Sequence, residues 1–305
     1  DGRATNSVKI GGYAGDGSLA MGGDLTVANH GKVVVNGYAP TLYVSGGFGY
    51  AALDGDGDIA GMKNYGIVEM PAPGETTEFP TTIYMGGLFG EASLGTGFST
   101  AENSSKPRRS INECINYGEI RYHGLVTDGA YIGGIVGDNY AGNGGSWGLV
   151  ENCVNNGTLT FYEDTLPNAE NRIGGIVGVQ YKGGEDKPAY CKGCTNNGDI
   201  VIYNQPAVTT LTNMHVGGIL ANSKTANPIG YGAKDCKQNA NIIALNESWT
   251  NIGMICADTR SAVTPIKDCK IVAGKSIARS QRTETDTDAG GETITETVYD
   301  YVNID

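Results

Sequence analysis

The chain has 305 residues, 48 of them glycine and 17 tyrosine, with 21 basic against 33 acidic side chains and a formal charge of −12. An acidic balance without a basic stripe argues against a nucleic-acid partner, and no apolar run approaches the ~20 residues that a membrane-spanning helix needs. Frequent Gly, Val, Ile, Thr, Asn and Tyr, without long Leu/Ala/Glu/Lys stretches, favour strands and turns over helices.

The chain begins at Asp1 rather than Met, which points to a leader or upstream domain removed from it. The first element is IGGYAG at Ile10. An apolar residue followed by a glycine corner returns as VSGGFG at Val44, MGGLFG at Met85, IGGIVG at Ile132 and again at Ile173. VGGILA at Val216 and IGMICA at Ile252 complete the set. The steps between these positions are 34, 41, 47, 41, 43 and 36 residues. Periods of that size belong to solenoids, propellers and arrays.

Each copy carries a second block built around Asn-x-Gly. It reads VANHGKV at Val27, MKNYGIV at Met62, CINYGEI at Cys114, CVNNGTL at Cys153 and CTNNGDI at Cys194. CKQNANI at Cys236 has Gln and Ala in place of Asn and Gly, and the copy at Cys269 has lost the Asn and reads as slipped by one residue. After the turn, apolar residues alternate: Val33 and Val35, Val68 and Met70, Ile120 and Tyr122, Leu159 and Phe161, Ile200 and Ile202. Period two predicts a strand with one buried face. The Gly/Asn/Asp/Pro/Ser-rich stretches between blocks read as loops.

About three strands per repeat are therefore expected. Such a unit cannot bury its own apolar face, and stacking on its neighbours at about 4.8 Å per coil solves that. The glycine pair would allow a tight corner. Asn29, Asn64, Asn116, Asn155 and Asn196 would form a second corner, tolerating left-handed backbone and hydrogen-bonding from coil to coil. Residues 1–280 thus read as one solenoid of about seven coils. Residues 281–305 alternate around a DAGG turn and read as a hairpin covering its open end.

GGIVG followed by NCVNNGTL resembles the GLUG-type repeats of bacterial surface and secreted proteins, abundant in Bacteroidetes. The resemblance spans residues 9–280, most clearly 84–204. It implies an all-β, right-handed parallel β-helix, similar in outline to pectin lyases. It also implies an extracellular or cell-surface location, often with a role in adhesion. It supplies no catalytic residues.

The candidate chemistry is sparse. The seven cysteines occupy slots that other copies fill with Val, Met, Ile or Leu, which makes them small buried hydrophobes. Cys191 and Cys194 form a C-x-x-C without a second pair or a matching His pair, so zinc lacks support. Asp54, Asp56 and Asp58 alternate in DGDGD and suit calcium. Against that, Ile59 stands where an EF-hand needs glycine and Tyr65 where it needs Glu, so a solvated acidic loop competes. His30, His123 and His215 have no metal-ligand spacing. Loop carboxylates such as Glu163, Asp164, Glu185 and Asp186 are possible members of a cleavage site, or solvated charges. The residue before each glycine corner runs Lys9, Tyr43, Tyr84, Tyr131, Arg172, His215, Asn251. In register these would line up as an exposed row for sugar rings or a protein partner, or as ordinary cross-strand pairs on a half-buried surface.

The expected function is a non-catalytic, adhesin-like protein presenting a binding face to glycan or to a host or bacterial surface protein. It would be a monomer without a cofactor, calcium aside. A polysaccharide lyase or glycoside hydrolase on the same scaffold is the alternative, and a structural stalk a third. Several convergent Asp, Glu, Lys or Arg in a cleft would favour the enzyme.

Overall fold

The computed structural model describes residues 6–18, 21–24, 26–53, 56–72, 79–94, 110–123, 126–141, 149–163, 170–180, 190–204, 214–223, 232–244, 251–258, 266–287 and 293–302. Over these residues the chain is all-β, without a helix, and winds as a parallel β-helix of seven coils. The fourth coil shows the plan. Gly129–Gly133 lies in the first sheet, Val136–Ala141 in the second and Leu149–Glu151 in the third. Val154–Asn155 lies in the fourth and Leu159–Glu163 in the fifth. Equivalent strands of successive coils pair in parallel and in register.

Each coil therefore has five strands rather than three. The extra corner, between the third and fourth sheets, is one residue in left-handed backbone. It is Gly61 (φ 82°), Glu113 (51°), Asn152 (51°), Gly193 (65°), Asp235 (54°) and Asp268 (54°) in successive coils. All but Glu113 are Gly, Asn or Asp, the residues that accept this conformation most readily. The Asn-x-Gly asparagines are not among them, so left-handed backbone is not why Asn stands there.

Its side chain is the reason. Asn29, Asn64, Asn116 and Asn155 each donate from Nδ2 to the Oδ1 of the next asparagine at 2.8 Å. Asn196 donates to Gln238 Oε1 at 3.2 Å. The second Nδ2 proton goes to the carbonyl of the glycine two residues on, at 2.9 Å in Asn155. Asn64, Asn116, Asn155 and Asn196 are fully buried.

The ladder also explains the glycine corner. A Cβ on Gly134 would lie 2.5 Å from Asn155 Cγ and 2.0 Å from Gly175 O. Gly46, Gly87, Gly175 and Gly218 face Asn64, Asn116, Asn196 and Gln238 just as closely. The glycine corner and the asparagine corner thus meet across the inside of the coil. On either side lie two apolar clusters. One holds Val44, Met85, Ile132, Ile173 and Val216 with Ile120, Leu159 and Ile200. The other holds Phe89, Val136, Val177, Leu220 and most of the cysteines.

Both glycines of the corner are crowded, a Cβ on Gly133 lying 1.9 Å from Val136 O, but the first slot is not always glycine. Ser45 takes the first slot in the second coil, since Val44 pairs with Met85 and Ser45 with Gly86. The seventh coil replaces both partners of the contact: Met254 stands in the second glycine slot and Ile271, paired with Gln238, in the asparagine slot. The slip in that copy lies after the ladder position and is two residues rather than one, since Ile271 and Ile277 pair with Gln238 and Ile242.

All seven cysteines are free, and Cys114, Cys153, Cys191, Cys194 and Cys236 are buried. Cys153 Sγ donates to Ile111 O at 3.4 Å and Cys194 Sγ to Val150 O at 3.3 Å. Burial pushes the thiols of Cys153, Cys191 and Cys256 up, which makes them poor nucleophiles. Alkylation under denaturing, non-reducing conditions is expected to label seven thiols, with no stoichiometric zinc by metal analysis. Fewer labels would mean that column neighbours have paired.

The hairpin begins at Ile277, before residue 281. Ile277–Thr287 pairs in parallel with Ile242–Ala244 and antiparallel with Thr293–Val302. It lengthens the fifth sheet to eight strands. It does not shield the last strands of the third and fourth sheets, where Ile266 and Ile271 stay 41% exposed.

Candidate functional site: a cleft between the first and second sheets

The last glycine of the first five corner blocks, replaced by Ala221 and Ala257 in the last two, presses the second sheet against the first. A Cβ on Gly137 would lie 2.6 Å from Met85 N, and one on Gly90 would lie 2.8 Å from Val44 N. The outward side chains of the two sheets consequently face one another along a cleft. Lys9, Tyr43, Tyr84, Tyr131, Arg172, His215 and Asn251 form one wall, in register. Asp16, Tyr50, Glu91, Asp138, Val179 and Asn222 form the other.

The tyrosine row is real, but its exposure is not what the sequence suggests. Tyr43 and Tyr84 are half-buried, whereas Tyr131 is 6%, Arg172 0% and His215 3% exposed. The row opens to solvent over the first three coils, closes over the next three and is half-buried again at Asn251. Its ring faces are already used. Tyr43 and Tyr84 stack at 5.0 Å, Tyr84 and Tyr131 at 5.2 Å, and the Arg172 guanidinium carbon sits 5.3 Å from the Tyr131 centroid. Arg172 also pairs with Glu170. A sugar ring cannot lie flat on these tyrosines. Their edges and hydroxyls are what the cleft presents.

The acidic wall is the part that sequence reading misses. The slot right after the corner block holds Asp16, Glu91 and Asp138, and that recurrence is its signal. Glu91 and Asp138 pair directly in register on neighbouring coils. Burial pushes the Glu91 carboxyl up to about 7, against the pull of Lys9. Burial, then Glu91, Tyr50 and Asp138, raise the Tyr43 phenol, while burial, then Asp138 and Glu91, raise Tyr84. Both phenols therefore remain hydrogen-bond donors at neutral pH.

A carboxyl whose folded pKa lies above its unfolded value binds its proton more tightly when folded, so stability is greatest below the unfolded pKa. It declines as pH rises through about 7. A shift from 4.5 to about 7 corresponds to roughly 2–3 kcal/mol between pH 4 and pH 8. The melting temperature is expected to fall across that range, and Glu91→Gln should flatten the profile. An unchanged slope in that variant would place the titration elsewhere.

The other candidates do not join this site. Asp54 lies outside the described residues, and Asp56 and Asp58 belong to the strand Asp56–Ala60 instead of a loop. Among the described residues no group of three or more His, Cys, Asp or Glu converges as a metal site. Asp164, Glu185 and Asp186 lie outside the described residues, and only the backbone of Glu163 is described. His30 stacks on Tyr65 at 4.7 Å, and Tyr65 on Tyr117 at 4.7 Å, in an outer row over the asparagine corner. The row continues as amides, with Asn197 Nδ2 donating to Asn156 Oδ1 at 2.8 Å. No helix of the described residues is long and apolar enough to cross a membrane.

No family model matches the chain, and neither a curated protein nor a solved structure matches it.

Proposed function

We propose that this chain is a non-catalytic, extracellular or cell-surface binding protein of the GLUG-repeat kind. Its cleft between the first and second sheets receives an extended polysaccharide lengthwise. The observation that supports this reading is the run of accessible polar edges over three successive coils, half-buried except for the exposed Asp16: Lys9 with Asp16, Tyr43 with Tyr50, and Tyr84 with Glu91. They recur at about 4.8 Å along one axis. A polymer can repeat one weak contact along such a row, so affinity should rise with oligomer length and level off once three coils are spanned. Phenol and carboxyl groups at the edges suit sugar hydroxyls.

The test is a glycan array followed by titration with the oligomers that bind. Tyr84→Phe keeps the ring stack and removes one hydroxyl, so it should weaken binding several-fold at unchanged melting temperature. Binding indifferent to Tyr84→Phe and Tyr43→Phe together would move the ligand site out of the cleft.

The carboxyl pair favours a second reading, glycoside cleavage. Glu91 is protonated near neutral pH, as a general acid must be, and Asp138 lies beside it. Release of reducing ends from a polysaccharide, lost in Glu91→Gln, would decide for hydrolysis.

A further inference from the structure

Resting on the reading of the cleft as a polysaccharide groove, we infer that the open stretch selects a polymer carrying cationic amino groups. The cleft already seats cations of the protein itself. Lys9 Nζ lies 4.0 Å from the Tyr50 ring centroid and 6.0 Å from that of Tyr43, and pairs with Asp16 Oδ2 at 2.7 Å. At the far end of the tyrosine stack, Arg172 closes the Tyr131 face. An ammonium over an aromatic face, beside a carboxylate, gains from the ring quadrupole and from the charge together.

Between these two seats stands Glu91. It faces Tyr43, Tyr84, Asp138 and Lys9. Among the described residues it makes no ion pair, and its carboxyl is half-buried. A carboxylate held there carries an unrecovered desolvation cost, which a ligand cation would offset. With both Tyr84 faces stacked, the third coil offers a ligand cation this carboxylate and not a ring face; the ring face it can take is that of Tyr50, now under Lys9. The net charge of −12 adds a long-range attraction for polycations that salt weakens. Lys9, 26% exposed at its side chain, is the internal occupant that a longer cationic ligand displaces.

Two tetramers of glucosamine test this by calorimetry, one N-acetylated and the other N-trimethylated, at a pH above the Glu91 titration. The trimethylated tetramer is expected to bind about tenfold tighter. Lys9→Gln should tighten it further by vacating a seat, and Glu91→Gln should abolish the preference. Circular dichroism would confirm that both variants fold. Equal affinity for the two tetramers, with binding still sensitive to Tyr84→Phe, overturns the cation preference and leaves the groove reading standing. Binding of neither tetramer, with no neutral oligomer binding either, removes the groove reading as well. A preference that survives Glu91→Gln and disappears in high salt is bulk charge attraction, and that also overturns the inference.

Discussion

Gly134→Ala is expected to destabilise the chain by about 3–5 kcal/mol, beyond most single substitutions. The added methyl has nowhere to go. It would sit 2.0 Å from the Gly175 carbonyl of the next coil and 2.5 Å from Asn155 Cγ. Neither neighbour is a flexible side-chain end: one is ladder backbone and the other is fixed by hydrogen bonds on both sides. Gly31→Ala is the control within the same repeat family. Its methyl would meet only Asn29 Oδ1, at an ordinary 3.5 Å, and the change should be within about 1 kcal/mol. Urea unfolding of both variants measures the contrast. Similar midpoints would mean that the coils spread easily and that the glycine–asparagine contact is not a tight one.

Asn155→Leu should cost a similar amount, for a different reason. Leucine is close in size but removes one acceptor and two donated bonds. Asn116 Nδ2 and Asn196 Oδ1 each lose one of two partners, and Gly157 O loses the bond from Asn155. Each buried proton or lone pair left unpaired costs about 1–3 kcal/mol, and the losses are not additive, so about 3–5 kcal/mol is expected. Asn155→Asp sharpens the test. Its carboxylate keeps the shape, but places a lone pair where a proton was, against two acceptors. That variant should be weakest at neutral pH and partly recover in acid, as the carboxyl regains a proton to donate. Asn197→Leu, on the exposed outer row, should be nearly silent. If Asn155→Leu melts with the parent, the inner ladder is a by-product of stacking and not a cause of it.

The coil register is legible in the sequence because each repeat slot meets copies of itself. Ile132 pairs with Ile173 and Asn155 with Asn196, as alignment of the blocks implies. The number of strands is harder to read. Strands of two residues, such as Val154–Asn155, have no periodicity, and their bounding corner is marked by a single residue. The cleft is harder still. Tyr84 and Glu91 come from strands on either side of a glycine corner. Only the bend at that corner, together with the close approach at Gly90, sets them facing each other. Burial of Arg172 and His215 is a property of everything packed around them, and no single block encodes it.

The exchange of glycine for Met254 and of asparagine for Ile271 in the seventh coil bears on how such an array can lengthen or shorten. Any of the second to fifth coils can be duplicated, since its ladder amide both accepts from the coil before and donates to the coil after. The seventh cannot. A coil placed after it would bring an asparagine oxygen to Ile271, which has no proton to give. Duplication is therefore neutral for the amide chain in the middle and penalised at this end. The methionine–isoleucine pair is a terminator, written once, that any inserted repeat must stay upstream of.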